Sequence, residues 1–131
     1  QLAAATGDPW FVLGVEVARA RVAREAGRVV EASERLRAPE HARAIEEHCS
    51  STTPGYRCLQ LEIERAKLAL DLHQPPEAKR HAVAALALSR QLGDWQWRSV
   101  ALTLAADAAR LDGAANVARA YHEESGRSQD R

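Results

Sequence analysis

This sequence predicts an all-α fold of six helices, stacked as about three antiparallel pairs, and three observations lead there. The chain aligns with itself three times. Arg19-Ala20-Arg21-Val22-Ala23 lies over Arg65-Ala66-Lys67-Leu68-Ala69 and over Ala105-Ala106-Asp107-Ala108-Ala109, and the register runs on to Glu31-Ala32, Glu77-Ala78 and Val117-Ala118. The offsets, Ala20 to Ala66 to Ala106, are 46 and 40 residues, and a period near forty that holds two helical stretches marks stacked helical pairs. Composition agrees: about a fifth of the residues are Ala and Arg outnumbers Lys 16 to 2, a strong helix-forming mixture. Finally, no segment alternates apolar and polar residues with period two, so no strand is expected.

The elements follow in order from their stop and start signals. Asp8 is a good N-cap with Pro9 at the first helical position, which starts a helix running to about Gly27. A second helix spans about Val29 to Cys49, with a break or kink at Pro39 because the ring removes a donor and restricts Ala38. The residues around Pro39 account for the longer first offset. Ser50 to Gly55 is a run of turn formers. The third helix covers Tyr56 to about His73, with Leu59, Ile63, Ala66 and Leu70 on one face. Pro75 opens the fourth, which stops at Gly93. Asp94 caps the fifth, ending before Gly113, and the sixth spans about Ala114 to Glu124. The polar tail from Ser125 to Arg131 is expected to fray.

The length fits a single domain over residues 1–131, with copies at about 7–52, 53–92 and 93–126. Eighteen basic and eighteen acidic residues balance, so net charge argues for neither nucleic-acid contact nor an acidic membrane surface. No apolar run reaches membrane-spanning length. The opening Gln1-Leu2-Ala3-Ala4-Ala5-Thr6 falls where the tail of a preceding helix would sit, so the chain reads as a fragment of a larger protein. Cys49 and Cys58 flank the loop. Their places at the end of one helix and the start of the next leave a disulfide geometrically open. The expectation is a pair of reduced thiols in a cytoplasmic protein, where bridges are rare. A bridge would instead favour a periplasmic or extracellular location.

The three copies resemble the tetratricopeptide repeat. Ala20, Ala66 and Ala106 take the small position midway along the first helix. Gly27, His73 and Gly113 fall at the turn, and Ala32, Ala78 and Ala118 at the second-helix Ala. The family's first-helix Trp and Leu-Gly pair are missing and the helices are long, so the likeness is to the longer, roughly forty-residue repeats attached to bacterial transcriptional and signalling regulators. That resemblance implies a right-handed superhelix working as a non-enzymatic protein or peptide interaction module. The alternative function is a ligand-sensing regulatory segment with a small molecule seated between helices.

In such stacks the first helix of each pair lines the concave surface. The register selects Val17, Arg21 and Arg24, then Ile63, Lys67 and Asp71, then Thr103, Asp107 and Arg110. Arg21, Arg24, Lys67 and Arg110 make this groove mildly basic, suited to an acidic peptide; solvated charges on an ordinary helix face are the competing reading. Trp10, Phe11, Tyr56, Trp95 and Trp97 stand at the starts of copies, and are read as wedges between neighbours. An exposed Trp95 would reverse that reading and mark a binding platform. His48, Cys49 and Cys58 lack the paired spacing of a zinc site, so no metal or other cofactor is expected. No phosphate loop, nucleophile elbow or paired-carboxylate arrangement occurs, and no catalytic residues are assigned. The stretch Trp10-Phe11-Val12-Leu13 is too apolar for a finished outer face. It is expected to be covered by upstream repeats or by self-association.

Overall fold

The computed structural model describes residues 8–49 and 55–129. It is helical, with no strand among the described residues. Seven α-helices pack against one another: α1 Pro9–Glu25, α2 Val29–Arg37, α3 Ala42–Cys49, α4 Tyr56–Asp71, α5 Pro75–Leu92, α6 Trp95–Leu111 and α7 Ala115–Gln129. A single 3-10 turn, Pro39–His41, separates α2 from α3. Seven helices therefore stand where six were expected. Ala38 is extended at φ −57° and ψ 128°, as the clash with the following Pro ring requires, and the chain makes one tight turn before the helix restarts. The loop expected at Ser50 to Gly55 lies, except for Gly55, outside the described residues.

The Asp caps form as expected. Asp8 Oδ1 accepts the Trp10 N–H at 3.0 Å, and Asp94 Oδ1 accepts the Trp97 N–H at 3.0 Å. The tail corrects the sequence reading, because α7 continues through Gln129 rather than fraying at Ser125. Ser125 is buried and its hydroxyl lies 2.8 Å from that of Ser99 on α6. A satisfied buried hydroxyl holds the helix to its neighbour, whereas an unsatisfied one would have expelled it.

The self-alignment has a physical counterpart at the turns. Gly27, His73 and Gly113 have positive φ of 84°, 55° and 80°. After each, the next N–H reaches five residues back: Arg28 to the Ala23 carbonyl, Gln74 to Ala69 and Ala114 to Ala109, each at 2.8 Å. This is the same left-handed helix stop at each of the three aligned positions, and Gly93, at φ 68° with the Asp94 N–H on the Ser89 carbonyl at 3.1 Å, makes it a fourth time before α6. Ala20, Ala66 and Ala106 are buried, as are Ala32, Ala78 and Ala118, so the helices within each pair approach closely over small side chains.

The core lies in two main clusters joined through α4. One gathers Leu13, Val17, Ala20 and Leu36 with Leu61 and Leu68 of α4. The other sets Leu59, Ile63 and Ala66 of α4 against Leu86 of α5 and Leu102 and Leu104 of α6. α4 is thus apolar on two sides and is the central helix. Cys49 and Cys58 form a disulfide with a Cα–Cα distance of 5.6 Å, tying α3 to α4. Trp10 stacks on His48 with ring centroids 4.4 Å apart, so α3 is fastened to α1 as well. No helix among the described residues is long and apolar enough to cross a membrane.

Candidate functional site

α1, α4 and α6 follow one another across the molecule, with α1 touching α4 and α4 touching α6. Their shared surface carries most of the positions selected from sequence. Two are corrections. Val17 and Ile63 are buried, not groove-facing. Each is covered by the first helix of the next copy: Val17 clusters with Leu61 and Leu68 of α4, and Ile63 with Leu102 and Leu104 of α6. Thr103, one copy on, is exposed; among the described residues no further first helix follows α6 to cover it.

The charged candidates divide by pairing. Arg24 is held by Glu64 of α4, with Nε to Oε2 at 3.0 Å and Nη2 to Oε1 at 3.5 Å. Side-chain exposures of 14% and 6% make this a structural clamp between copies, which takes Arg24 out of the set free to meet a ligand. At the next junction the register puts Leu70 and Leu104 in these two places, and both join the α4–α6 core. Arg110 donates to Asp107 Oδ1 at 3.0 Å and lies 2.8 Å from His122 Nε2. Arg21 and Lys67 form no ion pair among the described residues, and are the cations left to attract an acidic group. Asp71 is exposed at the far end of α4.

Between α4 and α6 runs an open groove of about 440 Å³, lined by Lys67, Trp95, Gln96, Val100, Thr103 and Leu104, with Ser99 at its base. Trp95 is 47% exposed. The wedge reading therefore holds for Trp97, which packs partly buried on the core, and for Trp10, which lies under Arg57 of the second copy, but not for Trp95, Phe11 or Tyr56, which are exposed. α6 begins at Trp95 because Asp94 caps it, and that cap is braced from α4 by the Tyr56 hydroxyl, donated to Asp94 Oδ2 at 3.0 Å. The Trp97 N–H holds the Asp94 carboxyl below the usual carboxylate range; desolvation opposes it, and the Tyr56 hydroxyl and Gln96 N–H add to the lowering. The same hydrogen bond to Asp94 pushes the Tyr56 phenol up.

Sequence reasoning missed Gln96, Val100 and Leu104 as groove residues. A signal was present: Gln96, Val100, Thr103, Asp107 and Arg110 follow one another at alternating steps of four and three, one continuous helix face. The cysteines are consumed by their bridge and His48 by Trp10. No cluster of His, Cys, Asp and Glu able to hold a metal occurs among the described residues. Comparison with protein-family models, with curated proteins and with solved structures finds no match to this chain.

Proposed function

We propose that the chain is a non-enzymatic interaction module, a right-handed stack of tetratricopeptide-like helical pairs that docks an acidic, partly apolar peptide or protein segment, as part of a larger bacterial regulatory or signalling protein. The repeated turns and the α1–α4–α6 succession support the stack. The observation that carries the docking role is the exposed Trp95 beside Lys67 in the α4–α6 groove. A large aromatic left half in water next to a cation is a poor choice for stability alone and a good anchor for a ligand with an apolar side chain followed by a carboxylate. Thr103 and Gln96 add hydrogen-bonding groups along the rim.

Fluorescence anisotropy with a library of labelled acidic peptides tests this. A binder with micromolar affinity is expected, weakened at least about tenfold by Trp95→Ala, as for an interface anchor, and weakened with a lower salt dependence by Lys67→Glu. If Trp95→Ala binds every peptide as the parent does, the groove is not the site. The Cys49–Cys58 bridge supports placement in an oxidising compartment. The outward face of α1, where Phe11, Val15, Ala18 and Val22 recur on the side away from the core, suits a covering helix from a second copy.

A further inference from the structure

A second cleft, separate from the groove, lies where α2 of the first copy meets α4 and α5 of the second. Its volume is about 230 Å³, room for about eight non-hydrogen atoms at ~30 Å³ for each water-sized group. Leu36, Leu68 and Ala69 form an apolar floor. Arg37, Arg65 and Arg80 stand around it. Arg65 donates to Glu62 at 3.2 Å, a carboxylate that also sits 2.8 Å from His81 Nδ1, and Arg80 pairs with Glu77. Arg37, the last residue of α2, has no ion-pair partner among the described residues. Three guanidinium groups against two carboxylates leave one positive charge unanswered, and it sits at the rim.

The lining holds a second unanswered group. Gln74 Oε1 is buried, lines the cleft and accepts no hydrogen bond. A buried amide oxygen without a partner loses its hydration for nothing, and such atoms usually mark where a ligand or water belongs. Rotation of the amide would present its NH2 group to the cleft instead, so the partner that suits both arrangements can donate and accept. A hydroxyl does both. An ammonium only donates, and the net positive charge disfavours it. The buried Ser33 adds a hydroxyl of its own to the lining.

We infer that this cleft is a binding site for a small hydroxycarboxylate, its carboxylate held by Arg37 and its hydroxyl by the Gln74 amide, over an apolar floor that takes the carbon chain. Arg grips a carboxylate with two parallel hydrogen bonds. A site built around a buried polar group also rejects the analogue that lacks the matching hydroxyl.

Isothermal titration of the whole chain with L-lactate and L-malate, each against its deoxy counterpart propionate or succinate, tests the assignment, with inorganic phosphate as a general anion. At least one hydroxy acid is expected to bind saturably and at least tenfold more tightly than its deoxy counterpart and than phosphate. Arg37→Gln should weaken it tenfold or more without changing the far-UV circular dichroism or Tm, since Arg37 makes no hydrogen bond or ion pair among the described residues. Gln74→Leu should weaken the hydroxy acid selectively and erase the preference. Absence of saturable binding by either hydroxy acid, equal binding of an acid and its deoxy counterpart, or an unaltered affinity in Arg37→Gln would overturn the inference. The hydroxy–deoxy comparison needs no variant, so a misfolded Gln74→Leu leaves the test intact. The groove variant Trp95→Ala should bind the hydroxy acid as the parent does.

Discussion

His73 holds a left-handed backbone at φ 55° where the other two copies have Gly27 and Gly113. That conformation costs a residue with a side chain ~1–2 kcal/mol, and the greater unfolded freedom of Gly returns ~0.5–1 kcal/mol of it. His73→Gly should therefore stabilise the fold by about 1 kcal/mol, read as a Tm rise of about 4 °C. An unchanged or lowered Tm would show that the imidazole makes a compensating contact. Asp94 gives a second residue-scale test through pH. Its folded pKa lies below the unfolded one, so its contribution is present above the unfolded value, ~3.9, and is lost as pH falls through the folded value. Asn also caps helices but does not titrate. The stability of Asp94→Asn should fall less than the parent's between about pH 4 and pH 2, measured as urea midpoints. Parallel curves for the two proteins would remove Asp94 from the acid limb.

At the scale of elements, the junctions between copies solve one packing problem in two ways. Arg24 and Glu64 clamp α1 to α4, while Leu70 and Leu104 occupy the matching register places between α4 and α6 within the core. Breaking one side of a largely buried pair strands a charge, so Glu64→Ala should cost about 2–3 kcal/mol. The double change Arg24→Leu with Glu64→Leu copies the second junction and should restore most of that loss. A double variant no better than the single would mean the clamp fixes the angle of α1 rather than filling space. α3 is a different case. It is short, and it is secured by the Cys49–Cys58 bridge and the Trp10–His48 stack. Closing a loop of nine residues' separation removes ~2.5–3 kcal/mol of unfolded-chain freedom on the entropic account. Reduction should destabilise by about that much, with amide exchange quickening first in α3 and last in α4.

Across the whole molecule the two ends are unlike. α7 exposes mainly polar side chains, Arg119, Glu123 and Arg127 among them, beside one large apolar residue, Val117. α1 is apolar toward the core and away from it, with Phe11 45% and Val22 58% exposed. Exposed large apolar side chains gathered on one helix face are ordinarily covered, so light scattering should show mass rising with concentration, and Val22→Glu should hold the chain monomeric. A parent protein that stays monomeric at every concentration would leave a second copy out as the covering partner. Charge balance sets no preference here, because the chain is neutral overall.

Much of the fold was legible in the sequence because its signals are local. Helix stops at Gly27, Gly93 and Gly113, caps at Asp8 and Asp94 and the break at Pro39 each act within a turn of chain, and the aligned Ala columns report close helix approach directly. The groove was legible in part. Arg21, Lys67, Thr103, Asp107 and Arg110 are on the surface as their register required, but Arg24, Val17 and Ile63 are not open to a ligand. Which of several outward-facing residues a neighbouring helix covers, and which charge finds a partner forty residues away, depends on long-range packing that no local pattern encodes. The same holds for the exposure of Trp95, the Ser99 contact of Ser125 and the unpartnered Gln74 oxygen, which were decided only when α4, α5, α6 and α7 came together. The sequence by itself determined the all-helical class and most of the helix stops and caps, because those signals act within a turn of chain; tertiary packing decided where α7 ends and which side chains remained available for binding.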